Sequence, residues 1–187
     1  MRHPARLFLC AVTLLALAGC GSDEEAVEPG VRGPVVFRLW DGDARAAGLP
    51  PTVVRADAVR QANLGFDDLE MVPVLVRRPL PDGVLWIHAP KGRFQAAGKV
   101  QELSLTGPVY FSGVVRGVPV GGSAAQAEVP RGQRVLKLAD VQLVRGGTLI
   151  TAPSADLTDG LLSSPGPVRM APGAPAMAAV LGAVPTR

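Results

Sequence analysis

The sequence predicts an all-β protein built from repeated antiparallel hairpins. Its 22 glycines and 18 prolines separate short apolar runs, and apolar residues alternate with period two inside those runs. Two long segments also resemble one another, as hairpin repeats do. Counting the runs gives roughly ten to twelve strands. One window, residues 56–64, has a weak helical period and is a candidate helix.

The chain begins with a predicted export signal. Arg2 and Arg6 precede an apolar run of about a dozen residues, too short to cross a hydrocarbon layer of ~30 Å as a helix. The run ends in Leu17-Ala18-Gly19-Cys20, the pattern at which bacterial lipoproteins are cleaved and acylated. We therefore expect residues 1–19 to be a lipoprotein signal peptide and Cys20 to carry acyl chains such as palmitate, which would anchor the protein to a membrane. An ordinary secretory signal with a chance cysteine is the alternative.

Composition narrows the class of function. Without Arg2 and Arg6, the 19 basic residues fall to 17 against 16 acidic ones, and no basic cluster beyond Arg77-Arg78 favours nucleic-acid binding. His88 is the one histidine outside the signal, which argues against histidine-rich metal sites and a catalytic triad. Phosphate-binding glycine loops are also missing. We expect a protein that is not an enzyme and has no metal or cofactor.

The rest of the chain divides into three parts. Residues 20–33 hold the acylated cysteine and a flexible acidic linker with four carboxylates. Residues 34–170 form the β domain, whose first two strands are expected at 35–40 and 53–59. Residues 171–187 are rich in proline and alanine and are expected to be disordered.

The two similar segments, residues 69–94 and 136–157, each contain a strand, a turn and a second strand. A Gly-Pro-Val follows each of them, at residues 107–109 and 166–168. The second segment is shorter around its turn, which we interpret as a longer loop in the first hairpin. In both segments the apolar residues change parity partway along the first strand, for example between Met71 and Val74. This predicts a bulge or bend that curls the sheet.

The order of these motifs resembles the LptC-like and OstA-like families of periplasmic lipopolysaccharide-export proteins, over roughly residues 35–170. That resemblance implies an antiparallel β-jellyroll, open like a folded taco shell, whose apolar interior holds acyl chains. It also implies end-to-end strand pairing with other jellyroll components of a lipopolysaccharide-export bridge. LptC-like members usually have an N-terminal membrane helix, where this chain has the acylation motif. The motifs are Ile87-His88-Ala89-Pro90-Lys91-Gly92, Leu103-Ser104-Leu105-Thr106-Gly107-Pro108-Val109, Gly121-Gly122-Ser123-Ala124, Leu136-Lys137-Leu138-Ala139-Asp140-Val141 and Ala152-Pro153-Ser154-Ala155.

From the resemblance we expect a periplasm-facing, membrane-anchored protein that binds lipopolysaccharide or a related lipid and passes it on. The anchor would lie in the inner or the outer membrane of a Gram-negative bacterium. The alternative is a structural β-sandwich lipoprotein that binds no lipid, because a closed core needs the same apolar parity as an open groove. Trp86, of opposite parity to its neighbours, is expected on the outer face. The groove candidates are Leu69, Met71, Leu85, Ile87, Leu103, Leu105, Leu136, Leu138 and Ile150.

Overall fold

The computed structural model describes residues 31–39, 45–61, 68–97, 100–130, 135–159 and 161–172. They form one antiparallel sheet of twelve strands, which confirms the expected all-β, jellyroll-like fold. The predicted signal, Cys20 and most of the predicted linker and tail lie outside the described residues. The strands are β1 (Val31–Arg32), β2 (Val35–Leu39), β3 (Thr52–Gln61), β4 (Asp68–Leu80), β5 (Gly83–Ala89), β6 (Lys91–Ala97), β7 (Val100–Val115), β8 (Val118–Pro130), β9 (Val135–Arg145), β10 (Thr148–Thr158), β11 (Leu161–Ser163) and β12 (Arg169–Pro172).

The order of pairing follows the order of the chain. β1 and β2 lie end to end along β3, β5 and β6 lie end to end between β4 and β7, and β11 and β12 lie end to end along β10. The sheet therefore consists of nine passes of the chain, each antiparallel to the next. The helix expected over residues 56–64 is wrong for residues 56–61, which belong to β3. Pairing on both sides of β3 outweighs the weak helical period.

Tight turns join the strands at one end of the sheet. Arg116-Gly117 and Gly146-Gly147 have positive φ at both residues, as two-residue hairpins with a right-handed twist require. Pro81-Asp82 makes the same two-residue connection between Leu80 and Gly83. The longer loop expected in the first hairpin is therefore wrong. Its additional residues lengthen the strands, because β4 and β5 continue to pair up to Leu80 and Gly83.

A single line of outward-facing residues crosses the whole sheet, and we call it the crease. On β4, Leu69 and Met71 are buried, the next two residues face outward, and burial resumes at Val74 and Val76. The predicted change of parity is thus confirmed, and it recurs at matched positions of the neighbouring strands. The crease consists of Gly33-Pro34, Asp57-Ala58, Val72-Pro73, Pro90-Lys91, Thr106-Gly107-Pro108, Ala125-Gln126, Ala139-Asp140, Pro153-Ser154 and Pro165-Gly166-Pro167.

Proline explains why the sheet bends at the crease. Proline has no N–H for the ladder, so strand pairing is weakest where prolines lie in line. The β3–β4 ladder skips the position where Asp57 lies opposite Pro73, and the β9–β10 ladder skips Asp140 opposite Pro153. The register on either side is unchanged, so these passes bend without a bulge. β7 is different, since its register with β8 shifts between Thr106 and Val109.

The crease divides the sheet into two arms. The turn arm ends in the tight turns, and the loop arm ends at the opposite side of the sheet. A sheet without covering helices can bury one face only by folding onto itself, so the inner faces of the arms face each other. The turn arm contains residues 35–39, 52–56, 74–89, 109–124, 141–152 and 168–172, and the loop arm contains residues 31–32, 59–61, 68–71, 92–97, 100–105, 127–130, 135–138, 155–158 and 161–163.

Two contacts connect the arms across the interior. The Phe37 and Phe94 rings stack with centroids 6.1 Å apart, although β2 and β6 are not neighbours in the sheet. The Arg78 guanidinium on β4 donates a hydrogen bond to the carbonyl oxygen of Val135 on β9, at 3.3 Å. Buried residues from both arms form one hydrophobic cluster. The folded sheet therefore has a single core.

The residues beside the crease follow a two-strand repeat. Each pass that enters the loop arm has an alanine as its last turn-arm residue, and the passes that enter the turn arm have a valine first. Small alanine side chains allow the two arms to meet closely at the crease. Gly33-Pro34-Val35 is a third Gly-Pro-Val beside the two found in the sequence, and all three lie on the crease. The alanines are Ala56, Ala89, Ala124 and Ala152, and the valines are Val35, Val74, Val109, Val141 and Val168.

The first prediction concerns Gly107 on the crease. It has a φ of 91°, and a Cβ there would lie 2.6 Å from Cγ of Pro90, whereas Gly117 (φ 72°) has open space around it. Both Gly→Ala substitutions strain the backbone by about 1–2 kcal/mol, and only Gly107→Ala adds overpacking of about 1–3 kcal/mol. Urea denaturation should show the larger loss of unfolding free energy for Gly107→Ala. Equal losses would contradict a close contact at the crease.

The second prediction concerns the ion pair between β4 and β6. Arg93 donates hydrogen bonds of 2.8 and 2.6 Å to the two carboxylate oxygens of Asp68, and these bonds hold the pKa of Asp68 below its ordinary value of 3.8. Because the folded state has the lower pKa, the stabilisation is present above about pH 4 and is lost as the pH falls through the folded-state pKa. Arg93→Gln should flatten this acid-side decline in unfolding free energy. If the unfolding free energy depends on pH identically in the variant and the parent, the acid-side decline does not arise from the Asp68–Arg93 pair.

Candidate functional site

The interior between the arms is the candidate functional site. Its apolar side chains lie in rows that run across the strands, parallel to the crease. Because the members of a row are paired across neighbouring strands, they all lie at a similar distance from the crease. The two rows of the loop arm are Leu69, Phe94, Leu103, Val129, Leu136 and Leu157, and Met71, Gly92, Leu105, Ala127, Leu138 and Ala155. The two rows of the turn arm nearest the crease are Val74, Ala89, Val109, Ala124, Val141 and Ala152, and Val76, Ile87, Phe111, Gly122, Leu143 and Ile150. A third row of the turn arm contains Arg78, Leu85, Gly113 and Val120.

The interior has the cross-section of a wedge. The rows beside the crease include glycine, alanine and valine, whereas the next row on each arm contains mostly leucine, isoleucine and phenylalanine. At Gly92 a Cβ would lie 2.8 Å from Cγ2 of Val74 on the other arm and 3.1 Å from Cδ2 of Leu105. The arms are therefore in close contact at the crease, and the side chains between them become larger in the next row.

Eight of the nine groove candidates are buried in this interior. Their exposed fraction is at most 3%, so their side chains are shielded from water in the folded chain. Leu85 and Ile87 lie on the turn arm, and the other six lie on the loop arm. Ile150, the ninth candidate, is half-buried and packs against the edge of the core. The structure thus brings the predicted residues onto one shared face, while lipid binding among them stays a prediction.

The interior is less well covered at its two ends. On β2, the inner residues Val35, Phe37 and Leu39 are only partly buried, and the same is true of Ile150 and Leu162 at the other end. Large apolar side chains are also exposed on or beside the terminal strands. Val36, Leu161, Val168 and Met170 are 57, 49, 41 and 70% exposed, respectively.

The groove candidates did not include two interior residues. Phe111 lies in the row of Ile87 and its ring lies over Gly122, where an added Cβ would come within 2.8 Å of the ring's Cζ. Arg78 entered the sequence analysis only as part of a basic cluster with Arg77, but only 6% of Arg78 is exposed. The parity of Val74 and Val76 places Arg78 on the inner face and could have revealed it.

The interior is mostly apolar. Within the described ranges, the buried polar side chains are Arg78 and Ser112. In the same part of the chain, no group of three His, Cys, Asp or Glu side chains could hold a metal ion. The fully buried lining is therefore hydrocarbon apart from the guanidinium of Arg78, while the partly buried Gln61 and Arg145 pair with the inner residues Leu69 and Val120.

Comparison with known proteins adds no family assignment. No protein-family model matches the chain. No curated protein matches its sequence. The resemblance to the lipopolysaccharide-export families therefore stays a hypothesis. Among the described residues, no helix has the length and apolar character needed to cross a membrane.

The third prediction compares two adjacent arginines. Arg78 donates its hydrogen bond across the interior and is buried, whereas Arg77 lies half-exposed on the outer face. Arg78→Ala removes a hydrogen bond from a charged donor and buried side-chain packing, and should lower the unfolding free energy by about 2–4 kcal/mol. Arg77→Ala should cost about 0.5 kcal/mol. If the two variants unfold at the same denaturant concentration, Arg78 does not connect the arms.

Proposed function

We propose that this protein binds the acyl chains of lipopolysaccharide, or of a similar lipid, between its two arms. It would do so as a membrane-anchored carrier in the periplasm, with the anchor on Cys20. The observation that supports this proposal is the continuous apolar interior, which crosses every pass of the sheet and is only partly covered at both ends. No catalytic group is needed for this function.

The energy of acyl burial is large enough to drive binding. Moving a methylene from water into an apolar site gains ~0.8 kcal/mol, so a chain of twelve to fourteen carbons gains roughly 10 kcal/mol before ordering costs. The middle of the interior is packed in the free chain, so an acyl chain must separate the arms. Away from the crease, the Phe37–Phe94 stack and the Arg78 hydrogen bond connect them. An acyl chain that enters at an end would replace such contacts with its own.

The terminal strands are the proposed contact points with partner proteins. β1 and β2 form one edge of the sheet, and β11 and β12 form the other. An unpaired edge can accept a strand from another chain, and exposed Val36 and Met170 would be covered by it. Other jellyroll components of a lipopolysaccharide-export bridge fit this role, because a continued sheet would also continue the apolar interior.

A structural role without lipid is the second candidate function. It is favoured by the packing of the middle of the interior, where Met71, Ile87 and Leu136 have no measurable exposure. In this case the folded sheet would support an envelope complex through its edges only. The two functions differ in whether the arms separate.

The fourth prediction tests lipid binding directly. Photoreactive residues at Ile87 and Leu138 should form adducts with radiolabelled lipopolysaccharide, because both positions face the interior. Lys137, adjacent to Leu138 and exposed on the outside, is the matched control. Adducts at the interior positions should exceed those at Lys137 about tenfold. Equal labelling at all three positions would contradict binding between the arms.

Lipid binding can also be tested without photo-labelling. The mature chain with Cys20→Ser has no covalent acyl group, so any fatty acid found with it by mass spectrometry is bound non-covalently. The carrier proposal expects such lipid after purification without detergent. Protein that remains free of lipid after incubation with lipopolysaccharide would favour the structural role.

A further inference from the structure

The outer faces of the two arms differ in chemistry. On the loop arm, one outward row that runs across seven passes contains basic and acidic residues in equal number. Neighbouring charges of opposite sign suit a face that is surrounded by water. The row consists of Arg60, Glu70, Arg93, Ser104, Glu128, Lys137 and Asp156.

The turn arm has an outer face of arginine, aromatic and aliphatic residues, which we call the arginine–aromatic face. Three adjacent outward rows form it across β2 to β8, and none of these rows contains a carboxylate. An outer face with this composition is poorly suited to water alone. The rows are Arg38, Val53, Arg77, Trp86 and Ser112; Val36, Arg55, Leu75, His88 and Tyr110; and Pro79, Val84, Val114 and Pro119.

The centre of this face is a shallow depression of about 200 Å³, lined by Val53, Arg55, Leu75, Arg77 and Trp86. Cζ of Arg77 lies 5.9 Å from the centroid of the Trp86 ring, a cation–π distance. Within the described part of the chain, neither Arg55 nor Arg77 forms an ion pair. The depression therefore contains two guanidinium groups without a described acidic partner, and one of them lies over a half-buried indole ring.

We propose that the arginine–aromatic face docks on an anionic phospholipid membrane surface, an inference that builds on the proposed membrane anchoring. Indole and phenol rings favour the boundary between headgroups and hydrocarbon, and each arginine near an anionic surface strengthens binding about fivefold. The charged row of the loop arm has no aromatic ring, and acidic residues equal in number offset its basic residues. The turn arm would thus face the membrane, and the loop arm would face water.

The N-terminal part of the chain permits this orientation. The residues from Cys20 to Val31 span at most about 40 Å when fully extended. Val31 begins β1 on the loop arm, and the chain then crosses the crease into β2, which carries Val36 and Arg38 of the arginine–aromatic face. A lipid on Cys20 would therefore leave this face within reach of the membrane.

Vesicle binding tests the proposal. The probe is the mature chain from residue 20 with Cys20→Ser, which has neither signal nor acyl anchor. It should bind vesicles of phosphatidylglycerol and phosphatidylcholine more tightly than vesicles of phosphatidylcholine alone, and salt should weaken the binding. Arg55→Gln with Arg77→Gln should weaken it about 20-fold. Arg60→Gln with Lys137→Gln removes the same charge from the loop arm and should change it less than threefold.

A second readout locates the contact. In a Trp40→Phe background, the fluorescence of Trp86 should shift to shorter wavelength when phosphatidylglycerol vesicles are added. Failure of the parent chain to bind these vesicles, or equal losses in the two double variants, would overturn the proposal. An unchanged fluorescence spectrum of Trp86 in vesicle-bound protein would also overturn the proposal. Interior photo-labelling by lipopolysaccharide is independent of these results, so the carrier function and the membrane face can fail separately.

Discussion

The rest of the structure depends on the crease, the line at which all passes of the sheet bend together. A sheet without helices must cover its own apolar face, and prolines such as Pro73, Pro90 and Pro153 supply a line of weak pairing where it can fold. Alanines beside that line, including Ala89 and Ala152, allow the arms to approach. Because each pass bends at the same register, the arms remain continuous sheets and their inner faces meet along the full length of the molecule.

Three surfaces follow from this one bend. The interior becomes a wedge, narrow at the crease and wider toward the free margins of the arms. Its two ends coincide with the edges of the sheet, so an opening for an acyl chain and a site for strand pairing lie side by side. The outer faces become separate surfaces that can differ, as the charged row of the loop arm and the arginine–aromatic face do. Carrier function requires the wedge to open against its own packing, and acyl burial provides a driving force of sufficient size.

Sequence patterns predicted most of the strands, the turns of the two similar segments and the change of parity, because period-two burial leaves a direct trace in the order of residues. They also placed the groove candidates on one face. Arg78 was missed because the groove candidates were all apolar residues, and the third Gly-Pro-Val was missed because it precedes the similar segments. The sequence could not distinguish a filled interior from an open one, since Leu105 or Leu138 has the same parity in both. Cross-strand rows such as Arg55–Leu75–His88 depend on register, which only the fold provides.

The distance between the arms tests the central claim most directly, that the folded sheet opens to admit acyl chains. Spin labels at Val114 on the turn arm and Glu128 on the loop arm, both exposed, can report that distance by double electron–electron resonance. We expect one narrow distribution in the lipid-free protein and a shift to longer distances when lipopolysaccharide is added. A distribution that stays unchanged at saturating lipopolysaccharide would contradict the account, because the arms would then form a closed sandwich.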